Sequence, residues 1–300
     1  LGDVYKRQPN NSARDLVRTK SDAVGLVVRG VSNPFYTDII RAIERTITDA
    51  GFTMVMQQIG TCDDEVKCGA VMEREKRLQG IVFLGGRFDY TPADLAMLNV
   101  PFVCCSYSNR YGTLIEGEYS SVSIADGDTA QQAVEELYRH GHRRIAALIS
   151  RPDDQSISQL RYEGYIQALE SHGIPVDPEL VICTGGFGAK DAYRAVQEKM
   201  AENVDFTALF AIADSMAIGA MRALMDAGRR IPEDCSVIAI DGLELSAYIE
   251  PPLTTLCQPM EEMGRRSAEI LLDMVRHKGS HACELLPTTL RQGRSVAAPG

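Results

Sequence analysis

Short apolar runs alternate with amphipathic helical patterns from residue 23 almost to the end of the chain, and the alternation runs through two series. Residues 23–28 (AVGLVV) read as a buried strand. Tyr36, Ile39, Ile40, Ile43, Ile47 and Ala50 then recur at helical spacing, and Gly51 closes that helix. Further strands are expected at 52–56, 81–84, 102–105 and 121–124, with helices at about 64–78 and 130–138. The rhythm restarts at 145–149. Strands at 181–183, 207–212 and 236–240 alternate with helices marked by Tyr165/Leu169, Ala192/Val196 and Met221/Leu224, before a long helix over 260–275 and an extended piece over 289–296. A parallel strand can only be reached by a crossover, so strict alternation implies parallel sheets covered by helices on both faces. Two series of similar size predict an α/β chain of two doubly wound lobes. Ligands of such sheets sit outside the carboxyl ends of the strands, which here means between the lobes.

The net charge of −10 is unevenly spread. Within the first 20 residues, five cations (Lys6, Arg7, Arg14, Arg18, Lys20) stand against Asp3 and Asp15, a net +3, which leaves −13 on the rest. An acidic body does not hold a polyanion unaided, so any nucleic-acid contact falls to the basic tail or to a further segment. No apolar run reaches the ~18 residues of a membrane span, and the charged start does not read as a secretory signal. The eight cysteines (62, 68, 104, 105, 183, 235, 257 and 283) show no CxxC or zinc spacing. They read as buried or partly buried free thiols in a cytoplasmic protein. The chain begins at Leu1, and residues 1–8, without apolar periodicity, read as foreign or frayed sequence.

Gly85-Gly86 follows a strand, but no GxGxxG or GxxxxGK[ST] spacing exists, nor HExxH, GxSxG or a Ser/His/Asp order. The chain is therefore expected not to be an enzyme and to carry no cofactor and no metal. His140 and His142, in RHGHRR, read as cations at a helix C-terminus.

Eight segments, spread over residues 9–296, together resemble the lactose-repressor (LacI/GalR) family of bacterial transcription regulators. They are PNNSARDL (9–16), VSNPFYTDII (31–40), HGHRRIAALI (140–149), RYEGYIQAL (161–169), DSMAIGAMRAL (214–224), GRRIPEDCSVIAID (228–241), PPLTTLCQPMEEMG (251–264) and LRQGRSV (290–296). The resemblance implies the type I periplasmic-binding-protein-like fold with three crossovers between lobes. It places residues 1–21 in a hinge or linker remnant, 22–143 with 258–283 in the first lobe, and 144–255 with 286–298 in the second. It also implies a homodimer, formed here through apolar helices such as 216–227, and binding to operator DNA through a helix-turn-helix head absent from this sequence. The expected effector is a mono- or disaccharide.

A sugar presents hydroxyls that donate and accept, and apolar ring faces. Its recognition needs carboxylates, a guanidinium fork and a flat aromatic. By the resemblance, Arg161 and Asp241 contact the effector and Phe187 stacks on it. The competing readings are a surface helix cation, a helix N-cap and a loop aromatic packed on its own lobe. Of Phe35 and Tyr36, one is expected to face the cleft and one the core. Asn33 is either a contact or a helix cap, and Asp214 is either a ligand or a cap. One of Asp126 and Asp128 is expected to point into the cleft. The family pattern often has Asn where this chain has Ala213, and the chain contains no Trp. The resemblance implies that purine-sensing members make further contacts in the loop before Arg161; here that loop is the polar RPDDQSISQL, which favours a neutral carbohydrate over a nucleobase.

The resemblance makes Asn10, Ala13, Arg14 and Leu16 part of a hinge helix that enters the minor groove of DNA with Leu16 as a wedge. So short a helix is unstable alone, so residues 9–20 are expected to be a disordered linker in this chain. The alternative is a periplasmic sugar-binding protein of a transport system. It would require a signal peptide and leaves the hinge segment without a role.

Overall fold

The computed structural model describes residues 22–30, 34–61 and 63–300. They form two six-stranded sheets. The first contains β1 (Ala23–Arg29), β2 (Thr53–Ile59), β3 (Gly80–Leu84), β4 (Phe102–Cys105), β5 (Ser121–Ser123) and β11 (Cys283–Leu285), in the order β11-β5-β4-β3-β1-β2. The second contains β6 (Ile145–Ile149), β7 (Val181–Cys183), β8 (Ala208–Ala211), β9 (Ser236–Asp241), β10 (Thr254–Cys257) and β12 (Thr289–Arg291), in the order β12-β10-β9-β8-β6-β7. Every pairing is parallel except β12 with β10. The central strands β3, β6 and β8 are apolar and wholly buried, and so is β1 up to its last residue, Arg29, as a sheet covered on both faces requires.

In each sheet the strand order reverses beside the first strand of the series. The reversal falls between β1 and β3 in one and between β6 and β8 in the other. Adjoining loops diverge there, which opens the crevice that ligands occupy in this architecture.

Eight helices are described: α1 (Tyr36–Asp49), α2 (Glu65–Lys76), the short α3 (Pro92–Leu95), α4 (Asp126–Arg139), α5 (Ile157–Ser171), α6 (Ala189–Ala201), α7 (Asp214–Asp226) and α8 (Met260–His277). They pair closely as α1 with α8, α4 with α5, and α6 with α7. A glycine sits at each crossing. A Cβ at Gly164 would lie 2.2 Å from the carbonyl oxygen of Gly127, one at Gly219 2.0 Å from that of Ala189, and one at Gly264 2.4 Å from that of Ile39.

The chain passes between the sheets three times, after β5, after β10 and between β11 and β12. The first passage differs from the expected division at 143/144. Helix α4 packs on α5, β8, β9 and β10, so residues 126–139 lie on the second sheet. Alternation reveals a helix but not which of two sheets receives it when the chain crosses. The amphipathic helix α8 returns to the first sheet, against β3, β4 and β5. Helix α7 corrects a second expectation. Met216, Ala217, Ala220, Met221, Ala223 and Leu224 are buried inside their own lobe, and the exposed apolar residues, Met225 and Ala227, lie at the end of the segment. Strands β10 and β11 were not anticipated, since each is three or four residues long and one is half threonine.

Of the cysteines described, Cys104, Cys105 and Cys235 are buried and Cys68 and Cys257 partly so, while Cys183 and Cys283 are exposed, contrary to the expectation of burial; none of the seven is in a disulfide. No described helix is long and apolar enough to cross a membrane.

Candidate functional site

Arg161 stands in the first turns of α5 and turns inward to the carboxyl edge of the second sheet. It is 2% exposed, so it is no surface helix cation. Its Nε and Nη2 each lie 2.8 Å from Oδ1 of Asp126, the first residue of α4. Its Nη1 donates to the carbonyl oxygen of Ile212 at 2.5 Å, just beyond β8, and to Oδ1 of Asp241 at 3.3 Å. The guanidinium thus lies over the carboxyl ends of β8 and β9, beside the point where the strand order reverses, and it joins α4, α5, β8 and β9.

Asp241 ends β9 and is equally buried. Its backbone has φ +138°, a region that residues with a Cβ rarely adopt. Oδ1 accepts from the Nε2 of Gln258 at 2.8 Å as well as from Arg161, whereas Oδ2 has no protein partner. Burial pushes the Asp241 carboxyl up to about 7, with Arg161 pulling it down and Asp214 pushing it further up. Asp126 is also raised by burial, against the pull of Arg161. For Arg161, burial works against its charge, but the two carboxylates outweigh it and hold its pKa above the ordinary value. One cation thus faces two carboxyl groups in a dry place, and one oxygen lacks a donor. Such a group accepts a hydrogen bond readily and repels an anion.

From the first lobe, Tyr36 approaches the same place. Phe35 is buried in the main core, and Tyr36, next to it, is only partly buried. The Tyr36 hydroxyl lies against the end of β3, 2.5 Å from where a Cβ on Gly85 would be. It is raised to about 12 by burial and by Cys105 and Asp241, against Arg29 and Arg161. It therefore stands within the electrostatic reach of both lobes.

Asp126 is buried on Arg161, and Asp128 is exposed on α4. Asp214 opens α7, whose start has no side-chain cap. It is fully buried, with Oδ1 accepting from Thr255 Oγ1 at 2.5 Å and Oδ2 from Leu243 N at 2.8 Å and Ser246 Oγ at 2.6 Å. Its oxygens tie α7 to the loop after β9 and to β10. Phe187 is half-buried against the core, and its carbonyl accepts from Ser215 Oγ at 2.8 Å. Asn33 and the hinge positions Asn10, Ala13, Arg14 and Leu16 lie outside the described residues. His140 accepts the role expected at a helix end, with Nδ1 2.8 Å from the Glu136 carbonyl oxygen. His142 does not. It is buried between Thr207 Oγ1 at 2.9 Å and the carbonyl oxygen of Ala297 at 2.8 Å, which anchors the last residues of the chain.

Gln258 was not foreseen from the sequence. It follows β10, so recognising that strand would have put it at a carboxyl end. A surface groove of about 760 Å³ lies elsewhere, beside α1 and α8. Its charged walls pair among themselves as Arg41–Asp38, Arg45–Glu261 and Arg265–Glu262, which leaves little to recruit a ligand. Among the described residues no three His, Cys, Asp or Glu side chains are grouped to hold a metal ion.

Comparison with known proteins agrees with this architecture. Residues 134–296 match the family described as "Periplasmic binding protein-like domain". The HTH-type transcriptional regulator MalR of Clostridium butyricum is 35% identical over 286 residues, which is 94% of this chain and 84% of that protein. The HTH-type transcriptional repressor CytR of Escherichia coli K12 is 31% identical over 284 residues, 93% of this chain and 82% of its own length. Among solved structures, the transcriptional regulator CelR–cellobiose complex superposes with a TM-score of 0.81 at 29% identity, covering 95% of this chain and 89% of that one.

Proposed function

The chain belongs to the lactose-repressor (LacI/GalR) family of transcription regulators, and from that premise we propose that it is the effector-binding core of a repressor that senses a neutral sugar. The reading rests on the buried Arg161–Asp126–Asp241 cluster at the carboxyl edge of the second sheet, with Tyr36 facing it from the first lobe. A sugar hydroxyl can donate to the unpartnered Asp241 Oδ2 and another can accept from Arg161. The surplus of carboxyl over guanidinium disfavours phosphates and carboxylates. Phe187 is assigned the ring-stacking role, and Asp126 positions Arg161.

A ligand held between lobes favours one lobe angle to the extent that it binds that angle better. That preference alters the weight of the DNA-competent arrangement. The hinge residues Asn10, Ala13, Arg14 and Leu16 would carry the change to operator DNA in a protein with its DNA-reading head. The protein acts in the cytoplasm, as a binding protein without enzymatic activity, and as a homodimer. The exposed Leu245 and the 77% exposed Tyr248 offer an apolar face for the partner, in place of α7. The lobes are assigned as 22–124 with 260–285, and 126–257 with 289–298.

The test is a panel of neutral mono- and disaccharides, read as a rise in melting temperature. A binding sugar whose effect is lost in Arg161→Ala and Asp241→Ala supports the reading. Retention of full affinity by both variants would overturn it.

A further inference from the structure

Five side-chain polar atoms among the described residues are buried without a hydrogen-bond partner, and four of them lie in the loops and strand ends at the carboxyl edges of the two sheets. Asp241 Oδ2 belongs to the site above. The other three, Arg29 Nε, Glu65 Oε2 and Tyr90 Oη, come together on the first lobe. Arg29 ends β1, Glu65 opens α2 after β2, and Tyr90 stands in the loop leaving β3. That is the point where the strand order of the first sheet reverses.

Each orphan has a geometric cause. Arg29 Nε is 3.6 Å from Glu65 Oε2, close enough for ionic attraction but too far for a hydrogen bond. The Nη2 of Arg29 is held by the Thr61 carbonyl oxygen at 2.5 Å. Glu65 Oε1 accepts from the Arg87 backbone N–H at 2.7 Å, so only Oε2 is left over. Glu65 is 0% exposed, whereas the Arg29 side chain is 20% exposed and reaches towards solvent. The Tyr90 ring is fixed by stacking on Tyr107 at 5.4 Å. Gly86 keeps the approach to the cluster open, since a Cβ there would lie 3.0 Å from Tyr90 Oη and 3.1 Å from Glu65 Oε1. Buried polar atoms in folded proteins nearly always have a hydrogen-bond partner, so three without one in a single cluster, two of them facing each other only as an ion pair, point to a partner from outside the chain.

We propose that Arg29, Glu65 and Tyr90 form a second polar subsite on the first lobe, which hydrogen-bonds the hydroxyls of a second sugar ring in a saccharide whose first ring is held by Arg161 and Asp241. The inference rests on the sugar reading given above and narrows the effector class to disaccharides or longer. The chemistry of the two clusters matches: a guanidinium that donates, and a carboxyl group with one oxygen lacking a donor. On the first lobe Tyr90 adds a hydroxyl that can do either. The Arg29–Glu65 pair is formally neutral, so it suits a neutral ligand, and an anion drawn to Arg29 would meet Glu65. The Tyr36 hydroxyl and the Arg29 carbonyl oxygen both border Gly85, 2.5 Å and 3.3 Å from where a Cβ would be, and Tyr36 also feels Arg161 and Asp241, so it marks the path between the subsites.

The test is calorimetric titration of the chain with glucose, cellobiose and maltose. The variants are Glu65→Gln, which keeps the acceptor used by Arg87, Arg29→Met, Gly86→Ala and Asp241→Asn, each checked for folding by circular dichroism. The account expects at least one disaccharide to bind the parent chain more tightly than glucose. Glu65→Gln and Arg29→Met should lower disaccharide affinity about tenfold and leave glucose within twofold. Gly86→Ala should act the same way and replaces either variant that fails to fold. Asp241→Asn should weaken every sugar. Unchanged disaccharide affinity in the first-lobe variants, or an equal loss for glucose, overturns the subsite while leaving the sugar reading intact. Absence of binding by all three sugars to the parent chain overturns the sugar reading and the subsite with it.

Discussion

Arg161 and Asp126 meet through two contacts on a single carboxylate oxygen, Nε and Nη2 both at 2.8 Å from Oδ1, with both side chains almost wholly shielded from water. Arg161 is thereby aimed at Asp241 from a helix that packs directly on the one bearing Asp126. Removing one member of a buried pair costs up to about 3–5 kcal/mol, and without Asp126 the guanidinium keeps only the longer contact to Asp241, at 3.3 Å. Asp126→Ala should therefore lower the unfolding free energy by roughly 3 kcal/mol in urea titrations. It should also weaken sugar binding, because Arg161 loses its anchor. Asp128→Ala, at an exposed position on the same helix, should change neither.

Gly164 lies one helical turn beyond Arg161, and Gly127 directly follows Asp126. With 2.2 Å between a Cβ at 164 and the Gly127 carbonyl oxygen, and 2.9 Å to Ala130 Cβ, Gly164→Ala must push α5 off α4. Overpacking of this kind costs about 1–3 kcal/mol. The expected outcome is a lower melting temperature together with a loss of sugar affinity. A stability loss with unchanged affinity would separate the helix crossing from the site.

The pKa of about 7 at Asp241 makes binding pH-dependent. Only the ionised carboxyl group offers both oxygens as acceptors. A ligand hydroxyl donating to Oδ2 therefore favours the deprotonated form, and affinity should fall several-fold from about pH 8 to about pH 6. Calorimetry across that range checks it. Asp241→Asn should bind weakly and show no such slope.

His142 gives a stability prediction of its own. Burial lowers its pKa, so the folded chain resists a proton that the unfolded chain accepts below its ordinary value of ~6.5. The unfolded state then binds more protons, so this residue's contribution to stability is lost as the pH falls through that range. The raised carboxyl of Asp241 works in the opposite sense, because its folded state holds a proton up to about pH 7. The difference between the parent and His142→Gln isolates the histidine. It should be largest above about pH 6.5 and shrink below it.

Much of the fold is legible in the residues because burial on both faces leaves continuous apolar runs such as 23–28 and 145–149, and these stand out from the helical spacing between them. Strand β10, with two threonines behind a Pro-Pro pair, lacks that signature, and Gln258 was lost with it. The polar site divides in the same way. Arg161 and Asp241 sit where a helix opens and a strand ends, positions that periodicity and resemblance both mark. Glu65 sits in the run Asp63-Asp64-Glu65, which reads as an ordinary solvated helix start. Only tertiary packing shows that Asp64 caps the helix at the surface while Glu65 is buried beneath Arg87. Asp214 erred the other way. Its place after a strand resembles a cleft position, but its partners Thr255 and Ser246 lie 41 and 32 residues away in the chain.

A sugar held between the two carboxyl edges should protect both lobes at once. Amide hydrogen exchange with and without a saturating disaccharide tests it most directly. Slowed exchange is expected at 29–30, 35–36 and 85–90 on the first lobe, and around 150–161, 212–214, 241–243 and 258 on the second, all in one titration. Protection confined to the groove beside α1 and α8, or to one lobe alone, would contradict it.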